Sequence, residues 1–241
     1  MRIDFIYGTR PELIKMAIPI KSFNSRNEFQ VRVISTGQHK EMLTPLESWF
    51  EIEPDFNWEV MKQNQSLPEL GSALMNSFLS FYQENEKPDW IIVQGDTTTA
   101  FIASLMGFYS KVKVAHIEAG LRTWDKYSPW PEEANRQMIT KLAEFHFAPT
   151  LTAKNNLLSE GVKEEDISVT GNTVVDSLIW SNLKIDNLDC YPKGLSKLFK
   201  GAFSEKRVVL ITSHRRENHG ENLEQICESI SDLGKEFTET H

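Results

Sequence analysis

The stretch WIIVQGDTTTAFIASLMGFYSKVKVAHIEAG, residues 90–120, carries the clearest indication of the fold class. Two short apolar runs, at 90–94 and 112–117, enclose a segment of helical length, and polar residues follow each run. A strand, a helix and a second strand in this order form a βαβ unit, whose strands run parallel. Val and Ile occupy consecutive positions, which is typical of strands that are covered on both faces. The stretch therefore predicts an α/β fold with a parallel sheet.

The same alternation continues on both sides of this unit. Further strands are predicted at 2–7, 30–35, 145–148, 166–170 and 207–212. Helices are predicted between the strands, including one that begins near Pro11 and others at 68–86, 132–144, 150–160 and 221–237. We therefore expect a Rossmann-like parallel sheet with helices on both faces.

One linker-like region interrupts the alternation at about 182–205, where Gly, Pro, Asn and Asp recur. A single strand and a single helix follow it, and one such pair cannot bury both faces of a strand. We therefore expect a first Rossmann-like domain at 1–172, a helix and linker at 173–205, and the beginning of a truncated second Rossmann-like domain at 206–241.

The composition excludes several classes of protein. The 241 residues include 26 Lys+Arg and 34 Asp+Glu, giving a formal net charge of −8, and 40% of the residues are hydrophobic. These values are ordinary for a globular domain, and the negative charge argues against nonspecific nucleic-acid binding. No apolar run approaches the ~20 residues that a membrane span requires. Cys190 and Cys227 are too few and too far apart for a disulfide framework or a zinc site, so we expect a cytoplasmic protein.

Reactive side chains follow the predicted strands. They are, in chain order, Arg10, His39, Asp96, Glu118, Asn172 and His214. Each loop taken alone is equally well explained as a polar surface turn. However, the carboxyl ends of parallel strands meet at one edge of a sheet, where α/β proteins bind ligands. Six such loops in register therefore predict one site.

The sequence lacks the common nucleotide and hydrolase motifs. There is no Gly-x-Gly-x-x-Gly after a strand and no P-loop, so NAD and P-loop ATP chemistry are not supported. There is no His-Glu-x-x-His and no Gly-x-Ser-x-Gly either, so the sequence does not support a zinc-dependent hydrolase or a serine hydrolase. Arg10 directly precedes a predicted helix and Lys15 lies about one turn inside it, a position suited to an anion. Lys15 fits equally well as a solvated helix lysine.

Three carboxylates stand at strand ends or helix starts: Asp96, Glu118 and Glu132. Any one of them could be a helix cap or a partner of the helix dipole. Together they could act as proton donor and acceptor beside a sugar ring. A magnesium site is a further possibility, although no Asp-x-Asp pair supports it.

Eight motifs carry a resemblance to a known family. In chain order they are GTRPELIKM (8–16), TGQHKEML (36–43), VQGDTTTAF (93–101), VAHIEAGLRT (114–123), YSPWPEEANR (127–136), FAPT (147–150), VTGNTVVDSL (169–178) and ITSHRREN (211–218). Together they resemble the non-hydrolysing UDP-N-acetylglucosamine 2-epimerases of bacteria, from residue 1 to about residue 220. The resemblance implies a glycosyltransferase-B-like fold of two Rossmann-like halves with the active site between them. This chain would hold the N-terminal half and the start of the second.

The resemblance also implies an activity, the interconversion of UDP-GlcNAc and UDP-ManNAc for surface polysaccharide precursors. The C2 hydrogen of the sugar is not next to a carbonyl, so its direct removal is prohibitive. The family is thought to eliminate UDP, giving a 2-acetamidoglucal intermediate, and to add UDP back with the opposite C2 configuration. A UDP-sugar substrate and a homodimer are implied. No metal, no NAD or other cofactor, no nucleic acid and no membrane is implied.

Site residues follow from the matched motifs. The resemblance implies catalytic roles for Asp96, Glu118, Glu132 and His214. It implies substrate contacts for Arg10, Lys15, Gln38, His39, Arg136, Asn172 and Arg215. In some members the loop that matches Gln38 and His39 contacts a second, allosteric UDP-GlcNAc, but the stretch 61–67 lacks the arginine expected there. The residues leave open which carboxylate is the base and which the acid.

Three alternatives share some of these features. A UDP-sugar glycosyltransferase would require an acceptor, and a hydrolysing epimerase would release free ManNAc and UDP. A non-catalytic fragment would turn over nothing. We expect this chain by itself to have little or no turnover, because the family binds uridine and much of the diphosphate through the second half.

Overall fold

The structure, a computed structural model, describes residues 1–37, 40–62, 64–187, 209, 211 and 221–237. Seven strands form one sheet in the order β3-β2-β1-β4-β5-β6-β7, and every neighbouring pair is parallel. The strands are β1 (Arg2–Tyr7), β2 (Gln30–Ser35), β3 (Phe56–Asn57), β4 (Trp90–Gln94), β5 (Lys113–Ile117), β6 (Phe145–Ala148) and β7 (Ile167–Val169). The predicted α/β class and parallel sheet are confirmed.

The helices that the structure describes lie between and after these strands. They are α1 (Arg10–Asn24), α2 (Lys40–Phe50), α3 (Leu67–Glu84), α4 (Thr98–Ser110), α5 (Glu132–Leu142), α6 (Leu151–Ser159), α7 (Val174–Asp186) and α8 (Glu221–Glu236). The chain divides into a compact unit at Met1–Asn182, which contains the sheet, and a second unit at Leu183–His241. None of these helices is both long enough and apolar enough to cross a membrane.

The elements differ from the prediction in a few places. The short strand β3 was not predicted, because two residues cannot show an alternation. Helix α1 begins at Arg10 itself, one residue earlier than expected. The predicted strand at 207–212 and most of the predicted linker lie outside the described residues. The predicted domain boundaries stay a prediction.

The core of the first unit lies on both faces of the sheet. Successive residues of β1 point to opposite faces, so Phe5 and Tyr7 pack with α1 and α2 while Ile6 packs with α3 and α4. All three side chains are fully buried. Each such burial stabilises the fold by roughly 1.5–3 kcal/mol. Because both faces are covered, the edge at the carboxyl ends of the strands remains for a ligand.

Candidate functional site

The carboxyl ends of the parallel strands form one edge of the sheet. Residues 8–10 follow β1, residues 95–97 follow β4, Glu118 follows β5 and residues 170–172 follow β7. The prediction that these loops share an edge is confirmed for the strands that the structure describes. The loop at 213–216 lies outside the described residues, and so do Gln38, His39, His214 and Arg215.

Glu118 is a carboxylate at this edge that side chains from three separate elements contact. Lys15 Nζ lies 2.6 Å and Gln94 Nε2 2.5 Å from its Oε2, and Asn172 Nδ2 donates to Oε1 at 2.9 Å. The backbone of Glu118 has φ 66°. A non-glycine residue in this conformation is uncommon, and such residues cluster at functional sites. Side chains from α1, β4 and the loop before α7 thus converge on one carboxylate.

Asp96 lies close to Glu118 and pairs with a different cation. Its Oδ2 accepts a hydrogen bond from Arg136 Nη2, and its backbone carbonyl accepts one from Asn135 Nδ2 at 2.9 Å. Burial raises the pKa of the Asp96 carboxyl, Arg136 lowers it in part, and the negative charges of Glu132 and Glu118 raise it further. Asp96 is therefore near enough to both Glu132 and Glu118 to be affected by their charges.

Arg10 and Glu132 complete the predicted residues at this edge. Arg10 is exposed and is the first residue of α1, and Glu132 is the first residue of α5. Within the described part of the chain, the side chain of Glu132 makes no hydrogen bond or ion pair. The structure thus brings together Lys15, Asp96, Glu118, Glu132, Arg136 and Asn172, with Arg10 at the start of α1.

Glu12 is a site residue that sequence reasoning missed. Its buried side chain accepts the backbone N–H groups of Gly8 (3.0 Å) and Thr9 (2.8 Å) on one oxygen and the Thr97 hydroxyl (2.7 Å) on the other. Burial raises its pKa, and these three donors oppose that rise. The spacing Thr9-x-x-Glu12 is a capping box and could have indicated the bonds within α1. Glu12 joins the loop after β1 to the loop after β4.

Glu133 is a second missed residue. It is fully buried and accepts the backbone N–H groups of Thr123 (3.1 Å) and Trp124 (3.2 Å) and the Gln137 amide (2.7 Å). Burial alone would raise its pKa, but these hydrogen bonds outweigh burial and the pKa is lowered. Its Oε2 also lies 3.4 Å from Arg136 Nη1. Glu133 therefore holds Arg136 in position for Asp96.

Two buried histidines lie directly behind the site. His116 of β5 pairs in register with His146 of β6, and both rings are inaccessible to solvent. His116 Nε2 lies 2.7 Å from the carbonyl oxygen of Gly95, so this nitrogen carries a hydrogen and donates it to that oxygen. Burial lowers the pKa of His116 to about 3 and that of His146 to about 4. His116 thereby fixes the backbone next to Asp96.

Because these two histidines are buried with lowered pKa values, we expect the free energy of unfolding to decrease in acid. Between pH 6.5 and about 4 the unfolded chain binds a proton on each ring and the folded chain does not. The free energy of unfolding should therefore fall with decreasing pH, by about 1.4 kcal/mol per pH unit for each histidine. Urea denaturation at pH 7, 6 and 5 measures the slope.

The control for this prediction is His146→Gln. Buried carboxyls with raised pKa, such as Glu12 and Asp96, act in the opposite sense, but they are common to both proteins. The difference between the two slopes therefore isolates His146. Equal slopes would contradict a neutral, buried His146.

A metal ion has no ready-made site in the ranges that the structure describes. No three His, Cys, Asp or Glu side chains lie close enough together there to hold one. Asp96 and Glu118 already pair with Arg136 and Lys15. The arrangement can instead move protons between carboxyls and hold an anion between cationic side chains.

Known proteins similar to this chain share one description. A family model described as UDP-N-acetylglucosamine 2-epimerase matches residues 21–241. The enzyme of that name from Neisseria meningitidis serogroup A is 47% identical over 237 residues, which cover 98% of this chain and 63% of that protein. The one from Salmonella borreze is 48% identical over 235 residues, covering 98% and 62%.

Solved structures give the same result. Neisseria meningitidis UDP-GlcNAc 2-epimerase bound to UDP-GlcNAc superimposes with a TM-score of 0.87 at 45% identity, covering 100% of this chain and 66% of that one. The Methanocaldococcus jannaschii enzyme in complex with UDP-GlcNAc and UDP gives 0.81 at 33% identity, with the same coverage. The chain thus spans less than two thirds of the length of these relatives.

Proposed function

Because this chain belongs to the UDP-N-acetylglucosamine 2-epimerase family, we propose that the whole protein interconverts UDP-GlcNAc and UDP-ManNAc. The observation that carries the proposal is the cluster of Asp96, Glu118 and Glu132 beside Lys15 and Arg136. Relatives with the same fold have been solved with UDP-GlcNAc or UDP bound. A site for this substrate must hold a diphosphate and exchange a proton at a sugar carbon, and the cluster offers groups for both tasks.

The carboxylates and the cationic side chains have different roles in the proposed reaction. In the elimination, the proton at C2 passes to a carboxylate, the C2–H electrons form the C1=C2 double bond, and the C1–O electrons leave with UDP. In the re-addition, a carboxyl group delivers a proton to C2 from the other face of the 2-acetamidoglucal, and UDP forms its bond to C1 again with the original configuration at that carbon. General acid–base catalysis of this kind typically contributes 10²–10⁴-fold. Cations that bind the leaving diphosphate stabilise the charge that develops on it.

The roles of individual residues are part of this proposal. We assign acid–base work to Asp96, Glu118 and Glu132, and diphosphate stabilisation to His214. Substrate contacts are assigned to Arg10, Lys15, Gln38, His39, Arg136, Asn172 and Arg215. Domains at 1–172 and 206–241, joined by a helix and linker, would each provide part of these residues.

The proposal extends to assembly and location, as a homodimer in the cytoplasm. An open, largely apolar cleft of about 860 Å³ between α3, α4 and the start of α5 supports the dimer. Leu79 and Trp130 line it, and both are more than half exposed in the single chain. Apolar surface of this kind is typical of contacts between subunits.

The proposal is tested by incubating the protein with UDP-GlcNAc alone in D₂O. We expect UDP-ManNAc and the incorporation of deuterium at C2, both read by NMR. The assay is run on this chain and on this chain joined to the part of the Neisseria relative that it does not match. The joined protein should interconvert the sugars, and the chain alone should show little or no turnover.

Two outcomes would contradict the proposal. Release of free ManNAc and UDP from the joined protein would favour a hydrolysing epimerase. No deuterium incorporation without an added acceptor sugar, together with transfer once one is supplied, would favour a glycosyltransferase.

A further inference from the structure

We propose that Glu118 holds the ammonium group of Lys15 in the resting site and releases it to the substrate diphosphate when Glu118 takes up the C2 proton. This inference rests on the proposed function and assigns the base of the elimination step. It makes Lys15 a cation whose partner changes during the reaction.

The first argument is the way Glu118 is held. Gln94 and Asn172 are neutral amides, and their hydrogen bonds to the Glu118 oxygens keep the side chain in place whether or not it is charged. The attraction of Lys15 at 2.6 Å is different, because most of it depends on the negative charge of Glu118. Protonation of Glu118 would therefore loosen Lys15 and leave Glu118 where it is.

The second argument is the movement of charge in the reaction. When the C2 proton passes to Glu118, the carboxylate changes from −1 to 0. The C1–O electron pair leaves with UDP, so the diphosphate gains one negative charge. One unit of negative charge thus moves from Glu118 to the leaving group. In the re-addition UDP gives up this charge as it bonds to C1, and the carboxyl that delivers the proton to the other face of C2 becomes negative. A cation that pairs with the base beforehand and with the leaving group afterwards stays paired throughout.

The third argument is the contrast with the other ion pair of the site. Arg136 contacts both Asp96 and the buried Glu133, so it keeps a carboxylate partner whatever the state of Asp96. In the part of the chain that the structure describes, Lys15 makes no ion pair besides the one with Glu118. Its flexible four-carbon stem can redirect the ammonium group, whereas the guanidinium of Arg136 is held from two sides.

The test measures the affinity for UDP, by NMR titration, of the chain joined to the part of the Neisseria relative that it does not match. Glu118→Gln keeps the shape of the side chain and mimics its protonated, uncharged form. We expect it to bind UDP about tenfold more tightly than the unchanged protein, a difference of about 1.4 kcal/mol, since the released ammonium group can make a charge-assisted contact with the diphosphate. In a Lys15→Met background the same substitution should change the affinity by no more than about twofold.

Glu132→Gln is the matched control. It removes an equal charge from the same cluster, but Glu132 has no lysine partner among the described residues, so UDP affinity should rise by no more than about twofold. A tenfold gain that persists in the Lys15→Met background, an equal gain in Glu132→Gln, or no gain in Glu118→Gln would each overturn the inference. In those cases the deuterium assay decides separately whether the proposed function stands.

A second measurement does not require Glu118→Gln to fold. Among the residues that the structure describes, the charged groups that face Glu118 are Lys15 and Asp96. If UDP recruits Lys15 from Glu118, the binding of UDP to the unchanged joined protein should be accompanied by proton uptake. Calorimetry in two buffers of different ionisation enthalpy measures this uptake, which should be larger than in Lys15→Met. Equal uptake in the two proteins would overturn the inference.

Discussion

A Gly120→Ala chain is expected to lose at least about 4 kcal/mol of unfolding free energy, which is exceptionally large for a single substitution. Gly120 has φ 87°, and a Cβ at this position would lie 2.2 Å from the carbonyl oxygen of Ala153 and 2.9 Å from Leu157 Cγ. The carbonyl belongs to the backbone of α6, so no side-chain rotation relieves the contact. Urea denaturation followed by circular dichroism measures the loss.

Gly161→Ala is the matched control for this prediction. Gly161 has nearly the same φ, 86°, but a Cβ there meets nothing within 4 Å. It should cost only the strain of a left-handed alanine, about 1–2 kcal/mol. Similar losses in the two variants would contradict the contact with α6. Because Gly120 lies two residues after Glu118, we also expect any folded Gly120→Ala protein to bind UDP poorly.

Asp96→Asn is expected to lower the rate of interconversion by about 10²–10⁴-fold in the protein joined to the remainder of its Neisseria relative. The amide keeps the size of the side chain but cannot accept or return a proton at the sugar. Burial raises the pKa of Asp96, Arg136 opposes this rise, and the neighbouring carboxylates add to it. The rate is measured by NMR at saturating UDP-GlcNAc.

Asp89→Asn provides the control for that loss. Asp89 precedes the same strand, β4, at its other end, where its carboxylate accepts the backbone N–H of Arg2 at 2.7 Å. This variant should keep its rate within about twofold, because a surface substitution of this kind typically changes stability by less than 0.5 kcal/mol. Equal losses in the two variants would mean that Asp96→Asn acts through the fold and not through the chemistry.

The sheet could be predicted because its strands are buried on both faces. Ile91, Ile92 and Val93 are all almost inaccessible, and such strands appear in the sequence as unbroken apolar runs. The place of the site followed from the parallel arrangement, which puts Asp96 and Glu118 at the same edge whatever the order of the strands. The motifs and the family resemblance then supplied the chemistry.

The pairing of charges could not be predicted. Lys15 and Glu118 are 103 residues apart, and Arg136 and Asp96 are 40 residues apart. Which cation meets which carboxylate depends on the strand order, which places β4 between β1 and β5. Similarly, the spacing Thr9-x-x-Glu12 indicates the local cap of α1, but it does not indicate the hydrogen bond from the Thr97 hydroxyl to Glu12. That bond forms because β1 and β4 are neighbours in the sheet.

The bonds of Glu12 have a consequence for how this chain can diverge from its relatives. One carboxylate satisfies donors from two loops that are separated by more than eighty residues. Losing Glu12 leaves the amides of Gly8 and Thr9 and the hydroxyl of Thr97 without their acceptor. Losing the Thr97 hydroxyl leaves a buried carboxylate short of a donor. Each substitution by itself lowers the stability of the fold, and the second one costs less once the first is present. We therefore expect positions 12 and 97 to change together among relatives.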